Sequence, residues 1–221
     1  MKHVLILVEG QTEEAVINDV LQRHLVAHGV WPIPTILTTK RAKHGPDFKG
    51  GVSSYQRIKI NIERLLADAS AALVTTMIDF YALPKDCPGW KDVPAHAPRA
   101  RAEHLEAAWR SDVNHPRFEP HLILHETEAL IFSNPMACEL SFPDSRAREA
   151  LAAIGRSFSC PEDIDEGPET APSKRILRVV PGYRKAAMGP LAIEEIGLPV
   201  IRSQCPHFDA WLRRLEALGR G

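Results

Sequence analysis

The chain has 221 residues, 44% hydrophobic and 25% charged, a composition that supports a buried core and excludes a disordered polymer. The net charge of −1 gives no global pull toward nucleic acid, yet basic residues crowd two stretches, Lys40, Arg41, Lys43 and Lys49 in one and Lys174, Arg175, Arg178, Arg184 and Lys185 in the other. Cys87, Cys138, Cys160 and Cys205 form no C-x-x-C pair, which argues against a structural zinc site and a disulfide scaffold. No apolar run approaches the ~20 residues of a membrane helix and the start carries no signal-peptide core, so a cytoplasmic location without membrane contact is expected.

The opening run Val4-Leu5-Ile6-Leu7-Val8 is apolar at every position, which predicts a strand buried on both faces at the centre of a parallel sheet. Glu9 ends that strand, where open α/β sheets bind ligands and where burial is costly without a compensating cation or donor. Gly10 permits a sharp turn and Thr12 is a suitable N-cap. Glu13 and Glu14 then fall in the first helical turn, where the helix dipole favours negative charge. The helix is expected to run from Glu13 to about His28, with Gly29 as its stop. Val30 to Thr39 reads as a second strand nearer an edge, because Pro32 and Pro34 cannot donate to a ladder. Lys40 to Gly51 is a basic, turn-rich loop of the type that closes over anionic ligands, with Lys40 and Arg41 as phosphate contacts.

Ser53 or Ser54 can cap a helix running to about Ala69, and Ala71 to Ile78 reads as a buried strand that again ends in an acid, Asp79. Pro84 takes the chain out of regular structure soon after. Val93 to Ser111 is expected to be a surface helix with Arg99 and Arg101 near its start. After the turn at Asn114-His115-Pro116, the run Phe118 to Leu124 predicts a further strand, which leads into His125-Glu126-Thr127-Glu128. Farther on, Asp144 to Ile154 reads as a short helix, and Cys160 to Glu169 as an acidic, solvated loop that packs little core. Pro172 to Val180 and Pro190 to Gly197 read as short helices, Leu198 to Ser203 as a last short strand, and Cys205-Pro206-His207-Phe208 as the start of a terminal helix. Phe208 and Trp211 belong to its apolar face, and His207 is expected to cap it.

Strands that repeatedly end in acids have a chemical reading. Hard divalent cations take several oxygen ligands, and acids from the ends of adjacent parallel strands converge on one side of a sheet. Glu9, Asp79, Glu126 and Glu128 are the candidate ligands of Mg²⁺ or Mn²⁺. No H-E-x-x-H, G-x-S-x-G or Walker A motif is present, so zinc peptidase, hydrolase-triad and ATPase readings fail.

Several segments together carry a resemblance: Val8-Glu9-Gly10-Gln11-Thr12-Glu13, Thr75 to Pro84, His125 to Leu130, Ala171 to Arg175 and Cys205 to Phe208. Through them the chain resembles, over nearly its whole length, a bacterial domain-of-unknown-function family, number four-two-seven-six. That family is similar to the Toprim superfamily of topoisomerases, primases and the overcoming-lysogenization-defect nucleases. The resemblance implies a Rossmann-like fold in which Glu9 is the first magnesium-binding acid and Asp79 the first member of an Asp-x-Asp motif. Tyr81 stands where the second aspartate of that motif would be, and Glu126 and Glu128 are the acids that can supply the missing ligands. The resemblance also implies phage defence and an ATPase partner.

Phosphodiester cleavage needs a cation beside the scissile phosphate, for which Lys185 or Lys174 serves, and Arg175 can hold a phosphate bidentately. Backbone N–H groups at the helix start near Pro172 can add an anion site. Glu13 or a metal-bound hydroxide would be the base. The expected architecture is an α/β core over 1–135, a mostly parallel sheet flanked by helices, with a mainly helical extension over 136–221 that packs on the core and brings basic residues. The expected activity is a metal-dependent phosphodiesterase or nuclease acting on nucleic acid. The alternative is a catalytically silent module of the same fold that docks on an ATPase or nucleic acid. Oligomeric state is not legible.

Overall fold

The computed structural model describes residues 1–37, 54–95, 97–164, 167 and 169–220. Among these, strands β1 (Lys2–Val8), β2 (Val30–Ile36), β3 (Ala71–Asp79), β4 (Phe118–Glu119) and β5 (Leu122–Ile123) form one parallel sheet in the order β2-β1-β3-β4, with β5 also paired to β3. β1 lies inside the sheet and its side chains divide between two cores. Val4, Ile6 and Val8 enter one, and Leu5 and Leu7 enter the other. That two-sided burial is why the strand is apolar at every position. β2 is the edge, where Pro32 and Pro34 sit opposite Val4 and Ile6.

The first helix, α1, is built from Gln11–Ala15, a π-helical stretch Val16–Leu21 and Gln22–Ala27. Its N-cap is Gly10, not Thr12 as expected from the sequence. The Glu13 carboxylate accepts the Gly10 N–H at 3.0 Å, so the helix begins two residues earlier and Thr12 is buried inside it. Gly29 ends α1 with φ of 78°, a left-handed conformation that glycine adopts without strain.

Helices α2 (Tyr55–Leu66) and α3 (Pro98–Val113) cover the Leu5/Leu7 face. Ser54 is the N-cap of α2, and Ser53 with the basic stretch 38–52 lies outside the described residues. α3 starts at Pro98 and is not a surface helix: Ala102, Leu105, Glu106 and Trp109 are buried. The strand expected over 118–124 is interrupted between β4 and β5. Pro120 has no N–H to give, and both backbone groups of His121 turn to a side chain, the N–H donating to Thr76 Oγ1 at 2.9 Å and the C=O accepting its hydroxyl at 2.7 Å.

The remaining helices are α4 (Ser145–Gly155), α5 (Pro172–Val179), α6 (Lys185–Ile196), α7 (Leu198–Gln204) and α8 (Pro206–Leu218). They join α1 on the Val4/Ile6/Val8 face, to which they bring Leu151, Ile176, Ile193, Ile201, Phe208 and Trp211. α7 replaces the expected strand over 198–203: Gly197 at φ 80° separates two helices, Pro199 lies in the first turn, and Leu198 and Ile201 are buried at helical spacing. α6 begins at Lys185, five residues before the expected start, and carries Pro190 within it. The acidic segment before α5 is not simply solvated. Glu162 is buried, and its carboxylate accepts the N–H groups of His207 and Phe208 at 2.9 Å each, which caps α8. The His207 ring therefore does not cap the helix and is free to point elsewhere. No helix among the described residues is long and apolar enough to cross a membrane.

Candidate active site

Parallel strands place their carboxyl ends on one edge of the sheet, and the acids follow from that polarity. Glu9 follows β1, Asp79 closes the neighbouring β3, and Glu126 and Glu128 come just after β5, which pairs with the last residues of β3. Glu128 lies in a 3₁₀ segment, Thr127–Ser133, which His125 enters with φ of 66°. A non-glycine residue held at positive φ is a strained feature of the kind found at functional sites.

Thr127 joins the acids. Its N–H donates to Asp79 Oδ1 at 3.1 Å, and its hydroxyl lies 3.0 Å from Glu13 Oε1 and 3.2 Å from Asp79 Oδ1, so it serves one carboxylate at a time. The Lys185 ammonium lies 2.9 Å from Glu128 Oε2 and 3.3 Å from Asp79 Oδ2. Tyr183 donates its hydroxyl to Glu128 Oε1 at 3.3 Å. α6, which begins at Lys185, approaches α1 closely through Gly189, where a Cβ would stand 3.1 Å from the Tyr183 hydroxyl and 3.7 Å from the Thr12 methyl. Glu126 is held by the start of α5, accepting from the Ser173 N–H at 2.9 Å and the Ser173 hydroxyl at 3.0 Å.

Glu13, Asp79, Glu126 and Glu128 are buried and Glu9 is half-buried. Burial pushes Asp79 well above the usual carboxylate range, Glu13, Glu128 and Glu9 add to it, and Lys185 opposes it. Glu9 is raised by burial and by Glu13. Burial pushes Glu128 up to about 7 against the pull of Lys185. For Lys185, burial alone would lower the ammonium, but Asp79, Glu128 and Glu126 together hold it above the ordinary lysine value. The site thus concentrates negative charge that protonation or a cation relieves.

Glu9, Glu13, Asp79, Glu126, Glu128 and Lys185, all singled out in the sequence, are brought together. Lys174 is exposed. Arg175 donates through Nε to the Thr170 carbonyl at 2.6 Å and lies over the Phe158 ring at 5.1 Å, so much of it is used in local structure. The anion site expected at the start of α5 is taken by the chain's own Glu126. Lys40 and Arg41 lie outside the described residues. Tyr81 is exposed and its N–H donates to the His125 carbonyl at 3.0 Å. Thr127 and Tyr183 were not anticipated, and Ser173 only through the N–H groups of its helix start; Thr127 had a signal in its place between two candidate acids.

Among the described residues, the groups of metal-ligating side chains whose ligand atoms fall within 4.8 Å of one another lie elsewhere, at His24/His28/Glu216 and Glu106/His121/His207. At the strand ends, Lys185 bridges Asp79 and Glu128 while Ser173 holds Glu126.

Fold and site define an α/β protein with an acid cluster over the carboxyl edge of a parallel sheet. Residues 8–216 match the family described as Domain of unknown function (DUF4276), and the chain belongs to that family. No curated protein matches the chain. Among solved structures, the C-terminal region of the Burkholderia pseudomallei OLD protein is similar to it with a TM-score of 0.41 and 17% identity, over 98% of this chain and 96% of that one.

Proposed function

We propose that the chain is a metal-dependent, Toprim-like phosphodiesterase or nuclease that acts on nucleic acid, cytoplasmic and serving in phage defence. The observation that supports it is the gathering of Glu9, Glu13, Asp79, Glu126 and Glu128 about Thr127 and Lys185 at the carboxyl ends of adjacent parallel strands. The donor set is carboxylate oxygen throughout, which suits Mg²⁺ or Mn²⁺, and the upward push on Asp79, Glu9 and Glu128 is what a divalent ion would offset. Glu9, Asp79, Glu126 and Glu128 would hold the ion, which supplies charge stabilisation at the attacking and leaving oxygens of a phosphodiester. Lys185 places a permanent positive charge beside these acids, where a scissile phosphate would meet it. Glu13, hydrogen-bonded to Thr127, is the carboxylate that would take a proton. Lys174, Arg175, Lys40 and Arg41 would hold the flanking backbone.

Tyr81 favours a second reading, a catalytically silent module that docks on an ATPase partner, because an exposed phenol replaces the acid that the superfamily pattern requires. Titration calorimetry of Mg²⁺ and Mn²⁺ into the wild type, Asp79→Asn and Lys185→Gln, with a nuclease assay on the same samples, separates the two. The enzyme reading expects metal binding to fall at least about tenfold in Asp79→Asn, and cleavage to be lost in Lys185→Gln with metal binding retained, since the ammonium competes with the ion for Asp79 and Glu128. A wild type that binds neither ion at millimolar concentration sinks the enzyme and leaves the docking module.

A further inference from the structure

Apart from the acid cluster, three buried side chains meet between α3, the break that separates β4 from β5, and the first turn of α8. Glu106 is 4% exposed, His121 0% and His207 3%. His207 Nε2 lies 3.1 Å from Glu106 Oε1, His121 Nδ1 lies 3.6 Å from the same oxygen, and the three ligand atoms are all within 4.8 Å of one another. We propose that Glu106, His121 and His207 form a site for a borderline divalent transition-metal ion, Zn²⁺ above all, that ties these three elements together.

The size fits. Ligands at about 2.0 to 2.1 Å from a tetrahedral zinc ion stand roughly 3.3 Å apart, which the two distances to Glu106 bracket. The donors fit as well, because two imidazole nitrogens and a carboxylate suit zinc far better than the all-oxygen preference of magnesium.

A second observation points to a ligand. His121 is fully buried and neither of its ring nitrogens makes a hydrogen bond; Nδ1, at 3.6 Å from Glu106, is beyond hydrogen-bond length. An imidazole always carries polar nitrogens, and burying them unmatched is costly, so a metal on Nδ1 would satisfy an atom that protein groups leave unmet. The ring cannot easily turn away, since it stacks on Trp211 at 4.5 Å and 8° and on His207 at 4.8 Å and 26°. The other partners are also held: Glu106 Oε1 accepts the Leu122 N–H at 2.8 Å, and the His207 N–H donates to Glu162 at 2.9 Å. Such outer contacts orient metal ligands. The separation of positions 106, 121 and 207 matches no zinc motif; the sequence pointed away from zinc on other grounds, the scattered cysteines and the absence of H-E-x-x-H.

The test uses the full chain. Bound metal is measured after purification and dialysis, and Zn²⁺ is then titrated into chelator-treated wild type, His121→Gln, Glu106→Gln and Asp79→Asn. One zinc ion per wild-type chain is expected, with affinity falling about 100-fold or more in the first two variants and unchanged in Asp79→Asn, which separates this site from the acid cluster. Co²⁺ substituted into the wild type, read by its ligand-field spectrum and by X-ray absorption, is expected to show imidazole nitrogen ligands, and this decides the matter if the variants fail to fold. A wild type that takes up no zinc, cobalt bound by oxygen alone, or affinity unchanged in folded His121→Gln overturns the site and leaves a metal-free hydrogen-bonded network.

Discussion

Glu128 is fully buried, and burial holds its carboxyl at about 7 although the Lys185 ammonium lies 2.9 Å away. An acid raised from its ordinary 4.5 in the fold withholds stability fully above pH 7 and not at all below pH 4.5, an effect of roughly 3 kcal/mol. In chelator at pH 8, Glu128→Gln is therefore expected to melt higher than the wild type, and the difference to shrink toward pH 5 as the wild-type carboxyl protonates; thermal melts across that range check it. A metal ion must displace the same proton. Mg²⁺ or Mn²⁺ affinity is accordingly expected to rise up to about tenfold per pH unit below 7 and to level off above it, with proton release seen by calorimetry in buffers of different ionisation enthalpy. Glu9, Asp79 and Glu128 were visible in the sequence because each follows an apolar strand; a single acid there reads equally as a helix cap, and it was the repetition over three strands that pointed to a cluster. The unmatched nitrogens of His121 carried no such signal, because His121 gains its surroundings from positions 106, 207 and 211, which lie far away along the chain.

At the scale of elements, α5 acts on the site from a distance in sequence. Its first turn presents the Ser173 N–H and hydroxyl to Glu126, so a helix start that reads as an anion site is filled by an internal anion. Ser173→Ala removes one of those bonds, with an expected loss of about 1 kcal/mol in stability and of about tenfold in metal affinity. Urea denaturation and calorimetry on the same variant measure both. Strands β1 and β3 were legible because they are long, apolar and bounded by turn signals. The run 198–203 was not: six residues of mixed apolar character satisfy either period, and only the burial of Leu198 and Ile201 together against the C-terminal core selects the helix. The interruption between β4 and β5 was hidden for a related reason, since it depends on the Thr76 hydroxyl replacing a ladder bond.

Across the whole molecule, β1 joins the two cores, and the C-terminal helices complete the one that contains Val4, Ile6 and Val8. Trp211 shows how tightly: it is fully buried, stacks on His121 and donates its indole N–H to Thr75 on β3 at 3.0 Å. Trp211→Ala leaves a cavity and an unmatched hydroxyl, with an expected cost of ~3 to 5 kcal/mol, a large share of a domain's stability. Urea unfolding followed by circular dichroism is expected to show a single transition at a lower midpoint, with strands and C-terminal helices lost together. A separate early loss of helix would contradict a shared core. The sequence by itself determined the parallel sheet, its central strand, the first helix and the acids at the strand ends, because hydrophobic period and strand polarity are local properties. Only the tertiary structure decided that Lys185 and Ser173 would engage those acids, that Glu162 would cap α8, and that Glu106, His121 and His207 would meet. Each of those contacts joins residues far apart in the chain, and their distances are set by how helices pack on a sheet, which no spacing along the sequence records.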